Sequence, residues 1–392
     1  MEYPFLRPDP PKLSQLGEAL EKIERSGIFS NFGPTNQDLE DSFIESLFDG
    51  VGHCVTTSNA TLGLILAIRH AVERRFIGAA GHGKRKYALM PSFTFAATGH
   101  AALWNSLVPL LCDIDADTWL PSLSSLEELL DQFTDEVAVI VPLTTFGNNL
   151  DLSAYADLSA RYDVPIVVDA AASLGSMDWD GRQFGTGCAF PTVYSMHVTK
   201  TFSAGEAGLI YCDDAETIER LRCMANFGFG QPRSATMLGL NAKLTEVAAL
   251  LCHEKLKHID SVVERRCRLA DAYRAELPTL TFQAMRGPRH AYQFISALLP
   301  KDDPRATADI VAELAAMGVS TRTYFSPHLA AQSFFRQNST FFDLSVTEAV
   351  TSKIISLPLY DDMTSQDVSA ICERLRVILA RGQLSPRLRQ RR

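Results

Sequence analysis

The sequence predicts an α/β protein: a large domain built on a mostly parallel sheet with helices on both faces, followed by a smaller C-terminal α+β domain. Three observations carry this expectation. Short runs rich in β-branched residues, apolar on both faces, recur up to Cys212. Amphipathic segments at helical spacing separate them. After Leu244 the pattern changes to a long helical stretch and then to alternating strand and helix pieces.

In chain order, Cys54-Val55-Thr56-Thr57 reads as a strand leading to a helix that begins near Leu62. Buried strands follow at 86–90, 137–141, 165–169, 192–197 and 208–212, each an uninterrupted apolar run of the kind a sheet covered on both faces requires. Helices are expected at 122–132 and 152–162, where apolar residues recur on one face. One long helix is expected over 244–277. It is followed by a strand at 292–299, a helix at 307–317, a strand at 320–324 and a last helix at 365–379. These elements divide the chain into a large domain with an N-terminal segment (1–260), a small domain hinged on the long helix (261–385) and a basic tail (386–392). The stretch 74–86, rich in Gly and basic residues, reads as a loop.

The chain has 392 residues, 46% hydrophobic and 21% charged, with a formal net charge of −9. That acidic balance argues against general nucleic-acid or anionic-membrane partners. No apolar stretch reaches the length of a membrane span, and Met1-Glu2-Tyr3-Pro4-Phe5-Leu6-Arg7-Pro8 lacks the pattern of a signal peptide. Eight cysteines without CxxC pairs read as thiols of a reducing cytoplasm, and no Cys/His cluster suggests a metal site.

Two residues at strand ends carry candidate chemistry. The 165–169 strand ends in Asp169, and Lys200 follows the 192–197 strand. Ligands of open α/β sheets gather at the carboxyl ends of strands. An amine and a carboxylate there are what a pyridoxal 5′-phosphate (PLP) enzyme requires. The amine makes the Schiff base with the cofactor aldehyde, and the carboxylate keeps the pyridine nitrogen protonated so that the ring acts as an electron sink. Taken alone, the pair is more readily explained as a turn Asp and a surface Lys.

The surrounding motifs narrow that choice. In order along the chain stand Gly33-Pro34 with Leu39-Glu40, Ser58-Asn59-Ala60-Thr61-Leu62-Gly63-Leu64, Pro91-Ser92-Phe93-Thr94-Phe95-Ala96-Ala97-Thr98, and Asp113-Ile114-Asp115 with Thr118. Asp169-Ala170-Ala171, Ser195-Met196-His197-Val198-Thr199-Lys200, Gly205-Glu206-Ala207-Gly208 and Gly239-Leu240-Asn241-Ala242-Lys243-Leu244-Thr245-Glu246 follow. This succession resembles the DegT/DnrJ/EryC1/StrS sugar aminotransferases over nearly the whole length.

The resemblance implies a type I PLP fold, with an aspartate-aminotransferase-like large domain. It assigns Lys200 as the Schiff-base and proton-transfer lysine and Asp169 as the partner of the pyridine nitrogen. Ala60, Thr61 and Ser195 would cradle the cofactor phosphate, Phe95 would stack on the ring, and Ala171 would pack on its opposite face. Asn241 would reach the phosphate of a second subunit, which implies a homodimer with shared sites. The implied reaction is ping-pong through pyridoxamine phosphate, with L-glutamate as donor and a nucleotide-linked keto-deoxy sugar, in this variant dTDP-linked, as acceptor. Ala172 stands where the family commonly has Gln or His, Ala60 replaces a phosphate-loop Gly, and Met196 replaces an aromatic.

On the substrate side, Gly318-Val319-Ser320-Thr321-Arg322-Thr323-Tyr324-Phe325-Ser326-Pro327-His328 resembles a stretch of members acting on dTDP sugars. Arg322 has two open roles, pairing with a carboxylate or phosphate or a structural salt bridge near a domain joint. His197 and His328 are each open between a substrate contact and a satisfied core histidine. Two other function classes stay open at this stage: a PLP-fold binding module without turnover, and a PLP enzyme acting on another substrate.

Overall fold

The computed structural model describes residues 2–76 and 85–389. Its strands are β1 (His53–Thr57), β2 (Tyr87–Pro91), β3 (Val108–Cys112), β4 (Val137–Ile140), β5 (Val168–Asp169), β6 (Thr192–Ser195), β7 (Gly208–Cys212), β8 (Thr281–Phe282), β9 (Ile295–Leu298), β10 (Thr340–Phe341) and β11 (Ile354–Leu357). Two ladders, β1-β7-β6-β5 and β10-β3-β2-β4, are joined by parallel bridges from Ile140 to Ile166 and from Leu143 to Asp169. They form a single sheet. β7 runs antiparallel to β1 and β6, and the other paired strands are parallel. The carboxyl ends of β1, β2, β5 and β6 therefore open on one edge, together with Gly208 at the start of β7.

The helices of the first part of the chain are α1 (Gly17–Ser26), α2 (Pro34–Ser46), α3 (Ala60–Phe76), α4 (Ala96–Trp104), α5 (Leu123–Phe133), α6 (Leu152–Tyr162), α7 (Ala215–Ala225), α8 (Glu246–Leu256) and α9 (Ile259–Glu276). Because successive strand side chains point to opposite faces, each apolar run feeds two cores. Ala88, Val139, Val167, Val193 and Ile210 pack with residues of α3, α4 and α7. Their neighbours Leu89, Ile140, Val168, Tyr194 and Leu209 pack on the other face with residues of α2, α5, α6 and α8. Each fully buried aliphatic side chain contributes roughly 1.5–3 kcal/mol. Local signals set the helix ends. Asp151 caps α6 by accepting from the backbone N–H of Ser153 and Ala154, and Asp163 closes it at φ 54°. Thr245 caps α8 through the N–H of Ala248.

The remaining helices are α10 (Thr307–Ala316), α11 (Ser333–Asn338), α12 (Ser345–Lys353) and α13 (Ser365–Arg389). β11, β9 and β8 form an antiparallel sheet whose core is shared with residues of α9, α10 and α13. Tyr3 joins that core and bridges to Val319, so the N-terminal arm packs with the C-terminal part of the chain.

Several expectations need correction. The helical stretch 244–277 is two helices that break at Lys257 and His258. No Gly or Pro marks the break; α8 packs on α2 while α9 packs on α13, and the two partners demand different directions. Residues 320–324 form no strand; Arg322 makes one bridge to Ser356. The last helix continues past residue 379 to Arg389, so part of the expected tail is helical. Residues 390–392 and most of the expected loop, 77–84, lie outside the described residues. Residues after 261 are also not confined to the small sheet. β10 adds to β3 of the large sheet, and Leu329, Phe335 and Leu344 join a large-domain core.

Candidate active site

The carboxyl edge of the large sheet lines a cavity of about 950 Å³. Asp169, the last residue of β5, is buried there. Its Oδ2 accepts from Thr98 Oγ1 at 2.7 Å and its Oδ1 from the Ala171 N–H at 3.2 Å. Thr94 Oγ1 lies 2.8 Å from Thr98 Oγ1. Since the Thr98 proton goes to Asp169, Thr94 donates to Thr98, and the three residues form a directed chain ending on the carboxylate. Burial pushes the Asp169 pKa above the ordinary carboxylate range, against the opposing effects of the Thr98 bond, the Ala171 N–H and the Lys200 charge.

Lys200 lies beyond β6 and is half-buried against the same cavity. Burial lowers the pKa of its amine, and the charge of Asp169 opposes that shift. Nζ donates to Gln293 Oε1 at 3.2 Å.

The third component is an anion cradle. α3 begins at Ala60, and Asn59 caps it: its Oδ1 accepts from the Leu62 N–H at 2.9 Å and its backbone O from the Gly63 N–H at 3.1 Å. The first N–H groups, those of Ala60 and Thr61, face the cavity end of the helix, where the helix dipole favours an anion. The Ser195 hydroxyl lines the same end and accepts from the His197 N–H at 3.3 Å. The turn lies close on β7: a Cβ on Gly208 would sit 2.6 Å from the Asn59 carbonyl carbon and 2.7 Å from the Ala60 nitrogen. Only glycine permits that approach. Ala60 is helical, with none of the positive φ that would have demanded the expected glycine.

Phe95, Ala171, Ala172 and His197 also line the cavity, Phe95 with 60% of its surface exposed. His197 Nδ1 accepts from the Thr199 N–H at 3.2 Å, so its Nε2 carries the proton toward Glu206 Oε1, 3.3 Å away. Three expected residues are not brought to the cavity of this chain. Asn241 is exposed and accepts from Lys243 Nζ at 2.8 Å. Arg322 donates to Ser320 Oγ and the Thr321 carbonyl and lies over the Phe5 ring. His328 is buried with Nδ1 2.8 Å from Ser92 Oγ, and burial lowers its pKa.

Two residues gained no role from the sequence. Thr98 stands in the same motif as Phe95, which caps α4, and lies on the first turn of that helix. Gln293 sits in the apolar run Ala291-Tyr292-Gln293-Phe294-Ile295, and a polar residue in such a run was the available signal.

The donor set fits PLP: an N–H-rich helix start for its phosphate, a buried carboxylate with acceptor capacity left for a ring N–H, and an amine with a depressed pKa for its aldehyde. The profile of the DegT/DnrJ/EryC1/StrS aminotransferase family matches residues 13–376.

The chain belongs to this family.

The crystal structure of a putative PLP-dependent aminotransferase from Bacillus cereus superposes with a TM-score of 0.88 at 35% identity, covering 96% of this chain and all of that one. DesI, solved in the presence of its TDP-sugar product, gives 0.86 at 30% identity, covering 99% of this chain and 96% of its own. The dTDP-4-amino-4,6-dideoxy-D-glucose transaminase of Shigella dysenteriae is 28% identical over 96% of this chain and 100% of its own. The protein is a PLP-dependent aminotransferase with the type I fold.

Proposed function

We propose that this aminotransferase moves an amino group from L-glutamate to a keto-deoxy sugar carried on a nucleotide, in two half-reactions at one site, with dTDP as the carrier. The observation that supports this reading most is the size and shape of the cavity. Beyond Asp169 and Lys200 it extends along Arg69, Trp104, Leu238 and Leu240, far more room than a cofactor and an amino acid need. The similarity to DesI and to the Shigella transaminase, whose names specify dTDP or TDP sugars, points the same way.

PLP, when bound, supplies the electron sink that lowers the energy of the substrate carbanion. Asp169 holds the proton on the ring nitrogen, and the Thr94–Thr98 chain keeps its carboxylate oriented. Ala60, Thr61 and Ser195, which line one end of the cavity, would hold the phosphate. Lys200 would take the proton from Cα of the donor and would return one to the acceptor carbon in the second half-reaction. Its depressed pKa favours the free-base form that the first of these transfers needs.

We read the assembly as a cytoplasmic homodimer. Trp104, 77% exposed, and Leu238, 59% exposed, form an apolar rim on the cavity. The family resemblance assigns Asn241, which is exposed and does not line its own cavity, to the phosphate of a second copy. Eight unpaired cysteines suit a reducing compartment. No helix among the described residues is long and apolar enough to cross a membrane.

The test is the absorption of the PLP-loaded protein, before and after L-glutamate and then after dTDP-4-keto-6-deoxyglucose. Loss of the visible band with glutamate and its return with the keto sugar is the expected result. Loss without return would redirect the acceptor to 3-keto sugars or other nucleotides. Absence of any Lys200-dependent band would overturn the reading.

A further inference from the structure

Gln293 has no part in the chemistry assigned so far. It is 6% exposed and lines the cavity from the start of the small domain, just before β9. Its side-chain oxygen is the hydrogen-bond acceptor of Lys200 Nζ. The orientation of the amide follows from chemistry, since a charged lysine nitrogen only donates and the carbonyl end must face it. The residue is anchored from behind. Its backbone carbonyl accepts from Arg266 Nη1 at 3.1 Å, and that guanidinium is tied to the Asp361 carboxylate and to the carbonyls of Tyr292 and Leu359. No other side chain of the described residues accepts a hydrogen bond from Nζ.

We propose that Gln293 is a positioning residue for the transamination: its carbonyl holds the reactive nitrogen of Lys200 at the cavity wall and stabilises the proton on it. A neutral acceptor suits this task. A carboxylate at 293 would trap the proton, and an apolar side chain would leave the buried nitrogen with no acceptor, so the amide keeps the nitrogen able both to hold a proton and to shed it. The ionisable groups lining the same cavity are Asp169 at the end of β5, His197 and Glu206 beyond β6, Arg69 on α3 and Tyr324 from the small domain. Of these, Asp169 is the one whose charge opposes the lowering of the Lys200 pKa by burial. Glu206 is turned to His197, and Arg69 is paired with Glu73.

The inference rests on the PLP aminotransferase reading, and its test uses the PLP-loaded enzyme without substrate. The quantity measured is the pH midpoint of the visible band of the cofactor linked to Lys200, in the natural protein and in Gln293→Met and Gln293→Glu. Met keeps the length of the side chain and removes the acceptor, so its midpoint falls below that of the natural protein. Glu keeps the shape and adds charge, so its midpoint rises by about one pH unit or more, tenfold in proton affinity. Cofactor retention stays unchanged in both, because neither variant touches the phosphate cradle. If Gln293→Met fails to fold, the isosteric Glu variant carries the test by itself. Unmoved midpoints, or a Met variant that titrates above the natural protein, would overturn the assignment while leaving the enzyme reading intact. A natural protein with no Lys200-dependent band would overturn both.

Discussion

Asp169 and Asp361 are the same residue type, both buried, and the protein treats them in opposite ways. Between α8, α9 and the segment after β11, Asp361 is surrounded by charge. Arg266 Nε donates to its Oδ1 at 2.7 Å and Lys255 Nζ to its Oδ2 at 3.2 Å, while the spare donors of both cations reach backbone carbonyls. At the sheet edge Asp169 receives one hydroxyl and one backbone N–H, and its pKa rises because burial outweighs that support. The Asp361 cluster is electrostatically finished and the active site is not. A buried carboxylate with no ion pair of its own is poised for a charge that a ligand brings; in our proposal that charge is the protonated nitrogen of the cofactor ring.

The sharpest way to test this contrast is to remove the reacting group. Lys200→Ala should abolish turnover and the covalent cofactor band while leaving the thermal unfolding midpoint of the cofactor-free protein nearly unchanged. A large loss of stability would mean that the active site is as structural as the Asp361 cluster. Next in size, Asp361→Ala leaves two buried cations facing each other and should cost about 3–5 kcal/mol of unfolding free energy, measured by denaturant titration. Turnover per folded molecule should fall less than tenfold.

Asp169→Asn should lower kcat by about 10²–10³-fold. It should also change the stability profile of the cofactor-free protein. The sign follows from a folded-state pKa above the unfolded one. Such a carboxyl contributes stability that is fully present below the ordinary carboxylate range and is lost as pH rises through the folded value. The variant, uncharged at every pH, should therefore lose less stability than the natural protein on going from acid to neutral conditions, and parallel profiles would contradict the picture of an uncompensated carboxylate. The smallest effect belongs to Thr98→Val, which removes one donor to the carboxylate. Its kcat should fall roughly tenfold, equivalent to about 1.4 kcal/mol, with the affinity for PLP little changed.

The buried strands were legible because a sheet covered on both faces writes itself as short, continuous apolar runs. β7 and α6 begin and end at the residues expected of them. Lys200 and Asp169 were legible for a related reason: each stands where an apolar run stops, and a strand that stops in an α/β sheet stops at the ligand edge. The break at Lys257 was not legible, since it follows from two helices having different partners and not from any helix-breaking residue. The pairing of Thr340 and Phe341 with β3 was hidden in the same way, because more than two hundred residues separate the strands and two residues hold too little pattern to announce a strand.

By itself, then, the sequence determined which runs would be buried as strands, and it singled out one amine and one carboxylate at strand ends as candidates for the chemistry. Periodicity and side-chain chemistry are local properties. Only the tertiary structure decided what surrounds them: that Thr98 donates to Asp169, that Gln293, just before β9, meets Lys200, and that Arg322 and His328 turn to Ser320 and Ser92 and not to the cavity. Each of these is a contact of about 3 Å, and three of them, Thr98 with Asp169, Gln293 with Lys200 and His328 with Ser92, join segments far apart in the chain. These three arise where packing brings elements together, and no spacing within a single segment encodes them.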